Sequence, residues 1–170
     1  YSDDQVDILA ELETDDADAI LDEMLPKEAE NVRKLIQYDS DTAGGLMVTE
    51  YLAYELDWTV SQTVKDLQDK AGEYEGYHVQ YIYVTHDNKF AGVLQMRDLL
   101  LSRPNTKLDS IVIKNAFTMH PEATLEDLIS FFDKYDFYGV PIVDGEEHLL
   151  GIVLRKDLRE AENEKSNLEL

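Results

Sequence analysis

Cysteine is absent from all 170 residues, which excludes disulfides, thiolate zinc sites and cysteine nucleophiles. Basic residues are scarce, 15 against 37 acids, and the formal net charge is -22. A chain so charged repels nucleic acid and anionic membrane surfaces, and its natural partners are cations. Long apolar runs are missing as well. None approaches the roughly 18 to 20 residues that a helix needs to cross a bilayer, so direct membrane insertion is not expected. Residues 1–10 carry no signal-peptide pattern, and a cytoplasmic location is the simplest expectation. The four histidines, His78, His86, His120 and His148, stand apart with no His-x-x-x-His spacing. No nucleophile elbow and no glycine-rich phosphate loop occurs. These absences point away from an enzyme.

What is present is a duplication. Thr59-Val60-Ser61-Gln62-Thr63-Val64-Lys65-Asp66-Leu67 reads as a helix start and is followed by apolar runs at 81–84 and 90–94 and by Arg97-Asp98-Leu99. Thr124-Leu125-Glu126-Asp127-Leu128-Ile129 opens a second copy, followed by runs at 140–143 and 149–153 and by Lys156-Asp157-Leu158. Val84, Gly92 and Asp98 recur 59 positions later as Val143, Gly151 and Asp157, whereas Thr59 and Thr124 are 65 apart. The first copy therefore holds about six extra residues, around 71–77. Thr59 with Gln62, and Thr124 with Asp127, have the spacing of a reciprocal helix cap. Apolar residues then recur at helical intervals, and the β-branched runs are split by the turn formers Asp87-Asn88 and Asp144-Gly145. The helices carry apolar residues such as Leu67 and Phe132 on one face, which points to a homodimer. Gly44-Gly45 precedes the first strand, where its expected role is backbone freedom. Ahead of the repeats, residues 1–38 hold 12 acids against 3 bases. With 44% apolar residues, a chain of this length can bury a proper core.

The order helix, strand, strand, helix, with Val140-Pro141-Ile142-Val143-Asp144 ahead of Gly151-Ile152-Val153 and an Asp six residues past that Gly, resembles the cystathionine-β-synthase (CBS) domain pair. The preceding Tyr38-Asp39-Ser40-Asp41-Thr42-Ala43-Gly44-Gly45-Leu46-Met47 is similar to the segment that leads into the CBS pair of MgtE-type magnesium transporters, as is Lys134-Tyr135-Asp136-Phe137 in the second copy. The fold expected from this resemblance is α+β, a tandem CBS domain pair preceded by a short α-helical segment. Residues 1–38 are expected to form the C-terminal part of an acidic helical N-domain. The pair is expected over 39–158, with copies at about 45–101 and 108–158, and 159–170 as a polar tail or truncated connector helix.

The resemblance also implies a function: a regulatory, cytosolic Mg2+-sensing region in which the ion bridges acidic surfaces to gate transport. Magnesium prefers hard oxygen ligands and keeps several waters, so such a site leaves no tight spacing motif. Residue by residue, the implied metal positions are Asp136, Asp157, Asp133 and the backbone of Gly45, with helical partners among Asp15, Asp16 and Asp18. Arg155-Lys156 stands where the family tends to place an acid, which weakens a cation site there. The alternatives are an adenine-nucleotide-sensing CBS module, with Asp98 and Asp157 as ribose contacts, and a ligand-free dimerisation domain. Gln95 and Leu154 stand where the nucleotide-binding pattern has a hydroxyl. The implied partners are a second copy and a transmembrane magnesium-channel domain of the same or another chain, which would put this region at the cytosolic face of the inner membrane.

Overall fold

The computed structural model describes residues 2–12 and 14–168; the side chains of Ser2, Thr14 and Asp15 lie outside the described residues. The chain folds into two compact units, the first made of residues 1–49, 118–142 and 150–170, the second of 50–117 and 143–149. No helix among the described residues is long and apolar enough to cross a membrane.

The first unit starts with helices α1 (Ser2–Ala10), α2 (Thr14–Glu23) and α3 (Pro26–Leu35). Proline at the start of α3 lacks only a donor that would be unpaired there, and Glu28 early with Arg33 and Lys34 late complement the helix dipole. Val6, Leu9, Leu21, Val32 and Leu35 face a common core. That core is completed by α4 (Ala43–Leu46), by α7 (Leu125–Lys134) through Leu125, Leu128 and Phe132, by β4 (Gly139–Val143) and β5 (Leu149–Leu154) through Ile142 and Val153, and by α8 (Arg155–Leu168) through Leu158. The acidic helical segment thus shares its core with the second repeat copy. Val48 and Ile152 exchange both backbone hydrogen bonds, at 2.8 and 3.0 Å. Gly151 lies beneath that crossing, where a Cβ would press on Met47 and on the Val48 carbonyl.

Gly44 and Gly45 do not supply the backbone freedom expected of them. Both lie inside α4, and neither is among the glycines with positive φ. They are small because other groups need their space: a Cβ on Gly44 would enter the Tyr38 ring, and one on Gly45 would strike the Asp39 carbonyl. The segment from 159, expected as a polar tail or truncated connector helix, continues α8 as far as Leu168.

In the second unit, β1 (Leu52–Glu55) pairs parallel with β2 (Tyr81–His86), which pairs antiparallel with β3 (Lys89–Gln95). Asp87 and Asn88 both take positive φ, 51° and 65°, as a tight hairpin turn between right-twisted strands requires. Leu52, Ile82, Val84 and Leu94 pack with Val60 of α5 (Val60–Asp69) and Leu99 of α6 (Met96–Leu101). The tip of the second-copy hairpin joins this unit, with Phe90 N–H donating to the Glu147 carbonyl at 2.8 Å. Gly92 leaves room for the Ile113 carbonyl, and Val93 and Ile113 exchange hydrogen bonds beside it.

Both expected caps form. Thr59 N–H donates to Gln62 Oε1 at 2.8 Å and Gln62 N–H to Thr59 Oγ1 at 3.2 Å. Thr124 N–H donates to Asp127 Oδ2 at 3.0 Å and Asp127 N–H to Thr124 Oγ1 at 3.2 Å. Thr124→Ala is expected to lower unfolding free energy by about 1 kcal/mol, read from the urea midpoint, with Thr124→Ser near wild type. The apolar faces differ from expectation. Phe132 is buried and Leu67 half-buried, because each packs into the core of its own unit. Exposed apolar side chains lie elsewhere, among them Leu100 and Leu101 of α6, 66% and 71% exposed, and Ile8 and Leu25 in the first unit.

Candidate functional site

Asp157 lies in the first turn of α8, fixed by the Leu154-to-Arg155 passage from strand to helix. Its side chain is only 11% exposed, with Lys156 Nζ 3.6 Å from Oδ1. Facing it in charge is Asp3, in the first turn of α1, whose Oδ1 is buried with no hydrogen-bond partner among the described residues. Burial, reinforced by the nearby Asp157 and Asp4 carboxylates, pushes the Asp3 carboxyl up to about 6. One helical turn on, burial also raises Asp7, with Asp4, Glu164 of α8 and Glu11 adding repulsion. Acids of α1 and α8 therefore form a seam of like charges that is part-desolvated at Asp3 and Asp157, while Asp4, Asp7 and Glu164 are exposed. Such a seam takes up a proton, or gains from a divalent cation placed between its carboxylates.

The other expected ligands are arranged differently. Asp136 is fully exposed beyond α7, with Arg155 Nη1 3.2 Å from its carboxylate. The same guanidinium donates to the carbonyls of Phe132 and Tyr135, the latter at 2.8 Å, so Arg155 closes the C-terminal end of α7. A cation already stands where Asp136 was expected to hold one. Asp133 is exposed on the last turn of α7, and Gly45 is buried in α4. Asp16 and Asp18 are exposed on α2, while the Asp15 side chain lies outside the described residues. No three or more His, Asp or Glu residues among those described converge as a ready-made metal cage. Asp98 is half-buried in the first turn of α6, Gln95 is exposed just before it, and Leu154 is buried.

Asp3 escaped the sequence reading, although a signal was there. Asp3, Val6 and Asp7 share one helix face by their i, i+3, i+4 spacing, and Val6 is a core residue. On that face Asp3 is half-buried, whereas Asp7 and, on α2, Asp16 and Asp18 are exposed.

The MgtE intracellular N domain family matches residues 1–41, and the CBS domain family matches residues 108–164. The magnesium transporter MgtE of Enterococcus faecalis is 31% identical over 132 residues, which are 78% of this chain and 29% of that protein. The crystal structure of the soluble part of a magnesium transporter superposes with a TM-score of 0.87 at 30% identity, covering 97% of this chain and 64% of that one. The chain belongs with the cytosolic regions of MgtE-type magnesium transporters. A second MgtE structure, of the cytosolic domain of the Mg2+ channel in complex with ATP, superposes with a TM-score of 0.86 at 30% identity, over 94% of this chain and 65% of that one. The chain spans under a third of the length of the curated MgtE relatives it matches. In MgtE-type terms, α1 to α3 correspond to the intracellular N domain, and the seam lies between that domain and the last helix of the CBS region.

Proposed function

We propose that this region is a non-enzymatic Mg2+ sensor that regulates a magnesium-transporting membrane domain in the same or another chain. The observation that carries the reading is the buried Oδ1 of Asp3, without a hydrogen-bond partner among the described residues, set against Asp157. Mg2+ there would draw oxygens from Asp3 and Asp157, with Asp7 and Glu164 further along the seam, and would complete its octahedron with water. The ion supplies positive charge that converts repulsion between the N-domain and the CBS region into bridging. The bridged arrangement gains in proportion to how much more tightly it binds the ion than the unbridged one does. In a transporter this closure would hold transport off when cytosolic magnesium is plentiful, giving negative feedback. Asp133, Asp136 and Gly45 remain outer members of the proposal, because Arg155 already answers the Asp136 charge. The division into 1–38, a CBS pair over 39–158 and a terminal segment belongs to the same reading, as does a homodimer, for which the adjacent exposed Leu100 and Leu101 of α6 offer one apolar patch.

Thermal unfolding tests the proposal. Millimolar MgCl2 is expected to raise the melting temperature by about 2–5 °C over NaCl at equal ionic strength. Equal shifts in the two salts would mean screening of a charge of -22 and would overturn the sensor. Nucleotide sensing is the second reading, favoured by the ATP complex of the MgtE relative. On that reading ATP stabilises the chain without added Mg2+, and Asp98→Asn removes the effect.

A further inference from the structure

The extra residues of the first repeat copy build a cavity in the second unit that the acidic seam does not use. After α5 the chain turns through 71–77 and brings Tyr74 back over the helix, where its hydroxyl donates to Asp66 Oδ2 at 3.1 Å. Tyr54 of β1 donates to the same oxygen at 2.8 Å, and Lys70 Nζ lies 2.9 Å from Oδ1. These groups line a space of about 270 Å³ together with Trp58, whose ring centroid is 5.3 Å from that of Tyr54. Glu55 also lines it, held by the Thr85 hydroxyl at 3.0 Å. The cavity sits at the Thr85 end of the sheet, where β1 finishes, whereas Asp98 follows Gln95 at the Tyr81 end. It is therefore separate from the place where the repeat pattern expects a nucleotide.

Three aromatic rings, two carboxylates and one lysine give the lining a net negative charge in an apolar frame. A hydrated metal ion gains little there, since rings cannot replace its water. An organic ammonium gains both ways, from the rings and from the carboxylate. The Lys70 ammonium already occupies the carboxylate side of this place, on Asp66, while its side chain remains 49% exposed. We infer that the Tyr54–Trp58–Tyr74 cavity binds a small alkylammonium ligand, which replaces the Lys70 ammonium at Asp66.

Trp58 is the sole tryptophan, so its emission reports occupancy directly. Titrating the whole chain with choline chloride or methylammonium chloride, against NaCl at constant ionic strength, is expected to give a saturable change in Trp58 emission, and MgCl2 is expected to give none. Lys70→Gln removes the competing cation and is expected to tighten binding about fivefold, whereas Asp66→Asn weakens it about tenfold. Circular dichroism checks that Asp66→Asn folds, and Lys70→Gln carries the test if it does not. No saturable change with either ammonium salt, an equal response to MgCl2, or weaker binding in Lys70→Gln would overturn the inference. The cluster would then serve only to fasten 71–77 onto α5.

Discussion

With Asp3 and Asp157 both replaced by Asn, the melting temperature in Mg2+-free buffer at pH 7 is expected to rise by about 4 °C, and the extra stabilisation by Mg2+ over Na+ to disappear. Both effects have one cause. At neutral pH the seam holds Asp3 ionised although burial and Asp157 favour its protonated form. A carboxyl raised from 3.8 to about 6 binds more protons folded than unfolded across that interval. The stability it contributes is thus complete below about pH 4 and is lost as pH rises to about 6, a cost of about 1–2 kcal/mol once solvent screening is allowed for. Asn carries no charge to repel, so the double variant should show a flatter stability profile between pH 4 and 6.5. Wild-type stabilisation by Mg2+ should be greater at pH 7 than at pH 5, because the ion competes with the proton for Asp3. Calorimetric melts over this range, with and without Mg2+, decide it. A double variant that keeps the wild-type preference for Mg2+ places the sensing ion elsewhere.

Gly45→Val is expected to be the most damaging single change in the first unit, at about 3 kcal/mol or more. Its side chain would have to enter the space of the Asp39 carbonyl and Ser40 Cα, which are backbone atoms and cannot rotate aside. Moving them disturbs the turn in which the Thr42 hydroxyl donates to Asp39 O at 2.7 Å and Thr42 caps α4. Gly72→Ala is the control, because a Cβ there meets nothing within 4 Å, and it should change stability by under about 0.5 kcal/mol. Urea unfolding of the two variants separates loss of space from loss of glycine as such. A Gly45→Val protein with a wild-type midpoint would show that 39–45 can reshape freely.

Sequence alone determined the elements whose causes are local. The caps at Thr59 and Thr124, the strand runs and the Asp87-Asn88 turn each depend on residues within a few positions of one another, and each is where the pattern put it. The repeat spacing and the MgtE-type motifs determined the family in the same way, because they are written in order along the chain. Only the tertiary structure decided matters that hang on residues distant in sequence. Gly44 and Gly45 yield space to Tyr38 and Asp39, which no φ preference announces. Phe132 is buried because the helical segment supplies its core, although its own helix reads as having an open apolar face. Asp3 and Asp157 stand near opposite ends of the sequence, and an ionisable group acquires its chemistry from the burial and charge that packing brings to it.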